Sequence, residues 1–321
     1  MEKLFFFLVM YSVTNICCQQ QVEDKETLWT IAWSPDARYI ATGGNQDVLK
    51  LFDAKTFELL QTYPVKEVQL SRLKWHPTQN LLAVITQGRT FKAKILDLQN
   101  EKWIELQDLE SSFRALDWSY DGAYLGVSEL EKMVSVYSPN GSLLYRFKGD
   151  AKGVAGLDWH PTKNIMVTVG DQIGIYTHKG DTINAFQPRN AETFVLCVEW
   201  HKSGNFFAVG DYGLLENKVS DKDKLLQFWN SDGEKFHEIK PKKAEYRNIR
   251  WNPNGKRLAS ASDALRIWSP VGELIAESAS TNDYLWGVDW SPDGKFIVTS
   301  SSEGKIALWD ENARLLRIIE E

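Results

Sequence analysis

Hydrophobic residues in this chain come in short runs separated by tight polar stretches. A representative stretch is Leu28–Trp33, apolar and ending on an aromatic, then Ser34, Pro35 and Asp36, then Tyr39–Thr42. Proline and Asx-type residues favour tight reversal at such points. Turn signals recur roughly every ten residues, and no segment sustains the i, i+3, i+4, i+7 spacing of a helix. The pattern predicts short antiparallel strands throughout and an all-β fold.

The pattern also repeats. Trp33, Trp75, Trp118, Trp159, Trp200, Trp251 and Trp290 each close an apolar run and open a turn of the Ser-Pro-Asp or His-Pro-Thr kind, at intervals of 42, 43, 41, 41, 51 and 39 residues. Each unit reads as four strands. The second strand is Tyr39–Thr42, Leu81–Val84, Arg257–Ser260 or Phe296–Thr299 in the clearest cases. The third ends on a large residue: Phe52, Leu96, Tyr137, Tyr176, Trp229, Trp268 or Trp309. A fourth follows, as in Leu143–Arg146 and Leu315–Ile318. A four-stranded unit repeated at this period is a propeller blade. Seven units fill residues 26–321 and predict a seven-bladed β-propeller of four-stranded antiparallel blades. Blade seven already holds four strands, so the ring is expected to close without a strand borrowed from the amino terminus.

The tryptophan-led turns and the third-strand endings Phe52-Asp53, Leu96-Asp97 and Trp309-Asp310 resemble the WD40-repeat family. The chain departs from it in having no Gly-His dipeptide. The buried histidine network of many family members is therefore expected to be absent, with blade packing leaning on aromatic burial. His76, His160 and His201 each follow an anchor tryptophan and read as turn residues, far apart around one rim. The resemblance implies a rigid, non-catalytic platform that binds a protein or peptide at the upper rim of its channel. It also implies that residues four and six before each anchor line that mouth. Those positions supply Trp29, Arg114, Arg247 and Trp286, and Phe194 and Tyr284. Blade five carries an insertion over residues 211–223, and Tyr212 in it faces the same rim in the family's arrangement. Exposed Trp, Tyr and Arg are enriched in binding hot spots; arginine adds a forked donor for carboxylate or carbonyl oxygen.

Charge and composition narrow the functions. The net charge is −6, without a basic block, which argues against nucleic acid as a partner. Three cysteines, two of them adjacent at Cys17 and Cys18, form no disulfide framework. There is no Gly-rich phosphate loop, nucleophile elbow, His-Glu-x-x-His or Cys-x-x-Cys. Asp221–Lys224 lacks the ligand ladder of a calcium loop, and Asn140-Gly141 reads as a turn pair rather than a glycosylation site. The residues before the anchors are Ala32, Lys74, Asp117, Asp158, Glu199, Arg250 and Asp289, and sequence alone does not say which of them pair. No catalytic residue, metal or cofactor is expected, and the chain is expected to be a monomer. Alternatives are a TolB-like periplasmic propeller and a propeller enzyme of the hydrolase or lyase kind.

The amino terminus is different in kind. Leu4–Val13 is apolar but about half the length of a membrane-spanning helix. It follows Lys3 and precedes a polar stretch, the outline of a secretory signal over residues 1–18 with a polar tether at 19–25. Cys17 or Cys18 before such a tether also resembles a lipoprotein processing site and is a candidate lipid anchor, although Ile16 replaces the usual small residue. Export is expected, to the periplasm, the outer membrane or the medium, with the cytoplasm as the alternative. A buried strand over residues 4–13 is the competing structural reading.

Overall fold

The computed structural model describes residues 26–65, 69–88, 91–108, 113–129, 132–149, 153–188, 195–211, 225–239, 246–279 and 283–319. The expected signal and tether, Cys17, Cys18, Phe194 and Tyr212 lie outside them. Seven sheets form, each of four consecutive antiparallel strands paired in chain order. Blade one is Leu28–Trp33, Tyr39–Gly44, Val48–Asp53 and Leu59–Pro64. Its second and third strands are buried almost throughout, while its outer strand is exposed except at Tyr63.

The turns explain why the chain folds back where it does. The Ser34 hydroxyl donates to Asp36 Oδ1 at 2.7 Å and accepts from the amide of Tyr39 at 2.9 Å. Ser119 with Asp121 and Ser291 with Asp293 repeat the arrangement. Side chain and backbone thus satisfy each other locally, and the reversal needs no tertiary help.

The seven anchor tryptophans are all buried, Trp200 most deeply at 1% exposure. Each apolar cluster spans two neighbouring blades; one joins Leu49 and Leu51 of blade one to Leu73, Trp75 and Leu82 of blade two. Full burial of one such side chain contributes roughly 1.5–3 kcal/mol. The indole N–H groups of Trp75, Trp118, Trp159 and Trp290 add direction. They donate to the carbonyls of Ala32, Lys74, Asp117 and Arg250 in the preceding blade, at 2.9–3.2 Å.

Histidine takes a larger part than the sequence reading allowed. His76, His160 and His201 do occupy the turns, but each also reaches the next blade. Their Nδ1 atoms accept turn amides from Thr78, Thr162 and Ser203 at 3.1–3.2 Å. That places the proton on Nε2, which donates to the carbonyls of Gly122, Gly204 and Gly255 at 3.1, 3.1 and 2.7 Å. Each ring also meets the next anchor edge to face: Trp118, Trp200 and Trp251 at 4.7–4.9 Å between centroids. The receiving glycines sit at φ +71°, and a Cβ on Gly122 would lie 2.2 Å from His76 Nε2. Three blade junctions are therefore clasped by histidine as well as by apolar burial.

The ring closes between blades one and seven by packing and side-chain bonds. Blade seven consists of Leu285–Trp290, Phe296–Ser301, Ile306–Asp310 and Leu315–Ile319. Among the described residues no strand ahead of Leu28 joins it. Leu28, Ile31, Trp33 and Phe52 pack against Val298, Ile306, Leu308 and Ile319. The Trp33 amide donates to Asp289 Oδ2 at 2.8 Å, and the Thr27 hydroxyl to the Ser302 carbonyl at 3.1 Å. At Gly287 a Cβ would stand 2.8 Å from the backbone nitrogen of Ile31, so glycine permits this close approach.

Register shifts mark most outer strands. In six blades the outer strand carries one extra residue opposite the end of the third strand: Leu60, Leu144, Ile183, Phe236, Ile275 and Leu316. All six side chains are exposed.

Candidate functional site: the channel mouth

The inner strands line a central channel whose two ends differ in chemistry. A second set of bulges shapes the upper end. In six of the seven inner strands the residue four before the anchor is the extra one: Trp29, Ser71, Arg114, Ala155, Leu196 and Trp286. A bulge leaves its residue unpaired and re-aims the side chains around it. Here Trp29, Ser71, Arg114 and Trp286 of that set reach the mouth, while the third-before residues line the channel.

Trp29, Arg114, Arg247 and Trp286, from blades one, three, six and seven, line a single cleft of about 260 Å³. Arg247 lies over the Trp286 ring at 4.3 Å, a cation–π contact that fixes the plane of its fork. Tyr284 packs edge to face on Trp286 at 5.6 Å and supports it from behind rather than lining the cleft. The Asn248 side-chain amide donates to the Trp286 carbonyl, tying blade six to blade seven beneath the mouth. Ser71, also four before its anchor, lines the cleft as that position implies, and sequence reasoning missed Arg72, Gln87 and Asn248, which complete the lining. Arg72 and Asn248 also line the channel below, which narrows to about 70 Å³. Both stand three before their anchors, a position that strict strand alternation turns away from the fourth.

The opposite end is built for structure. Lys74 lies 3.1 Å from Asp117 and 4.0 Å from Asp158, and Arg250 lies 3.7 Å from Glu199 and 3.5 Å from Asp289. Burial works against the Asp117 charge, but the Lys74 ammonium, a hydrogen bond with Asp158 and the Arg250 charge together outweigh it and hold that carboxyl below the usual range. Burial, with the Asp117 charge beside it, pushes the Asp158 carboxyl well up. The two side chains hydrogen-bond as a pair, and the opposite directions of their shifts favour the neutral form at Asp158 over Asp117. A dyad of this kind serves acid–base chemistry elsewhere, but here the oxygens are already engaged. Asp117, Asp158, Glu199 and Asp289 each accept the backbone amide of the next blade's anchor, Trp159, Trp200, Trp251 and Trp33, at 2.7–3.2 Å.

Cys197 lines the channel, where burial pushes its thiol up to about 12 and its Sγ donates to the Tyr246 carbonyl at 3.3 Å. It stays a thiol at neutral pH and is no nucleophile. Among the described residues no group of three His, Cys, Asp or Glu side chains is placed to hold a metal ion.

The family model for the WD domain, G-beta repeat, matches residues 16–53 and 268–310, which take in the first three strands of blade one and, with the outer strand of blade six, the first three strands of blade seven. Those two segments carry WD40 repeats. Echinoderm microtubule-associated protein-like 2 of Mus musculus is 26% identical over 59% of this chain and 29% of its own length. A subunit of eukaryotic translation initiation factor 3 from Drosophila erecta is 25% identical over 79% of this chain and 45% of its own. The intraflagellar transport protein 122 homolog of Danio rerio is 21% identical over 72% of this chain and 19% of its own. The WD40 ring spans less than half the length of these relatives.

Proposed function

We propose that the protein is a non-catalytic scaffold that holds a protein or peptide at the channel mouth. One observation carries this reading: side chains from four separate blades, Trp29, Arg114, Arg247 and Trp286, meet in one open cleft. The carboxylates, in contrast, gather at the far end and hold anchor amides. Indole faces offer apolar area with a polar edge, and guanidiniums offer oriented donors, the combination that dominates hot spots. The names of the relatives, a microtubule-associated protein and a component of a translation initiation factor, fit a part that works by contact. The test replaces Trp29, Arg247 and Trp286 together with alanine and compares affinity capture from the native source, with near-ultraviolet circular dichroism as the check of fold. Capture should be lost with the fold retained. Full capture by the triple variant places the docking site elsewhere.

The same reading favours the interior of the cell over export. The relatives are named for microtubules, translation initiation and intraflagellar transport. The family match begins at residue 16, inside the segment read from sequence as a signal. Intact mass of the protein from its native source decides the matter: loss of residues 1–18, or a lipid on Cys17 or Cys18, overturns the intracellular reading.

A further inference from the structure

Three guanidinium groups enter the mouth, Arg72 from blade two, Arg114 from blade three and Arg247 from blade six. Among the described residues lining the cleft, none carries a negative charge. Guanidinium stays protonated at every pH a folded protein meets, so the local charge is not relieved by titration. Arg72 stands deepest, half-buried at the neck, and donates to the Ser71 carbonyl at 3.0 Å. Burial pushes its proton affinity down, and the facing charges of Arg114 and Arg247 add to that. The far end of the channel shows the contrast. There Lys74 and Arg250 each have two carboxylates within 4.0 Å. The channel thus gathers carboxylates at one end and brings three guanidiniums together at the other.

Bringing cations together out of water is unfavourable, and an anion seated among them reverses the balance. The cleft, at about 260 Å³, is larger than one carboxylate, and Trp29 and Trp286 border it with apolar faces. The neck below, at about 70 Å³, has no room for a chain to thread through. These dimensions fit a side chain pointing inward from a backbone that lies across the rim. The net charge of −6 repels polyanions such as nucleic acid, and leaves a segment bearing one or a few acidic residues as the matching partner.

We propose that the mouth recognises an acidic peptide segment, seating an aspartate or glutamate carboxylate among Arg72, Arg114 and Arg247 while Trp29 and Trp286 cover its neighbours. The proposal rests on the mouth being the docking site. Arginine supplies the direction, since its planar fork matches a carboxylate bidentately. The indoles supply the remaining contact area, and Gln87 and Asn248 present amides to the main chain.

The test is selection of a random displayed peptide library on the full chain, with the Trp29/Arg247/Trp286 triple alanine variant as the counter-screen. Selected peptides are then synthesised and their affinity measured by fluorescence anisotropy, at low and high sodium chloride. The proposal expects Asp or Glu at a fixed place in the selected peptides. Changing that residue to Asn or Gln should weaken binding at least about tenfold, the scale of one charge-assisted hydrogen bond. Arg114→Gln, an exposed position, should weaken it similarly without changing the fold, and high salt should weaken it too. Peptides without a required acid that are still lost in the triple variant overturn the acidic-segment proposal and leave the docking mouth standing. Tighter binding of a phosphoserine version than of the carboxylate version overturns the choice of carboxylate. Peptides that bind the triple variant undiminished, or no enrichment over it, overturn both the proposal and the docking mouth.

Discussion

His76→Ser separates the cross-blade clasp from the turn it grows out of. Serine is the repeat's own alternative, found in the same place at Ser34, Ser119 and Ser291. It keeps a hydroxyl that can accept within the turn, as the Ser34 hydroxyl accepts the Tyr39 amide five residues on at 2.9 Å. What it removes is the 3.1 Å bond to the Gly122 carbonyl and the 4.8 Å edge-to-face contact with Trp118. Leaving a buried carbonyl without its donor costs about 1–3 kcal/mol. The ring contact contributes about 0.5–1.5 kcal/mol more. His76→Ser should therefore destabilise by about 3 kcal/mol. His76→Ala should cost about 1 kcal/mol beyond that, because the amides of Thr78 and Gln79 lose Nδ1 as well. Urea unfolding followed by tryptophan fluorescence reads the order, with the midpoint shift converted through an unchanged slope. If His76→Ser unfolds at the wild-type midpoint, the clasp contributes nothing and the junction of blades two and three rests on apolar burial, the Trp118 indole bond and the Lys74–Asp117 pair.

Burial lowers the proton affinity of His76, His160 and His201, so their contribution is complete above an unfolded histidine's value of about 6.5 and is lost as pH falls below it through the depressed folded values; urea midpoints should decline from pH 7 toward 5, and His76→Ser should flatten that decline. Asp158→Asn should leave the midpoint within about 1 kcal/mol of wild type, because a protonated acid is replaced by an amide, whereas Asp117→Asn strips Lys74 of its 3.1 Å partner and should cost about 3 kcal/mol; the reverse order refutes the assignment of the shared proton. Deleting residues 1–25 should leave the melting temperature nearly unchanged, since blade seven holds its own outer strand, while deleting residues 313–321 should lower it clearly by removing Leu315–Ile319. A large loss from the amino-terminal deletion would show that the Leu4–Val13 run is structural.

The architecture was legible because its signal is local and repeated. A tryptophan, a Ser-Pro-Asp turn and a large third-strand ending each announce themselves within a few residues, and seven copies leave one solution. The four strands of blade seven could be counted in the same way. The histidine clasp was not legible, because the Gly122 carbonyl lies in the next repeat and nothing within the His-Pro-Thr turn points across the junction. At the mouth, counting back from each anchor picked out Trp29, Arg114, Arg247 and Trp286. The same counting discarded Arg72 and Asn248, since an unbroken strand alternates its faces. The bulge at Ser71 breaks that alternation and puts positions three and four side by side. A one-residue slip between facing strands leaves no composition of its own, so it becomes visible only in the pairing.

The bulges at Leu60, Leu144, Ile183, Phe236, Ile275 and Leu316 bear on a hazard of open sheets. A propeller presents one free strand edge per blade, and a row of unpaired N–H and C=O groups is a template for another chain. With apolar residues on those edges, a regular ladder would invite filaments of rings joined side to side. An extra residue near the start of each edge prevents an incoming strand from keeping step across it. Blade two lacks the bulge but offers an outer strand of only four residues, Lys102–Glu105, with an exposed charge at each end. Every blade margin is thus either out of step or short and charged, and a regular strand-to-strand ladder between rings is disfavoured at all seven.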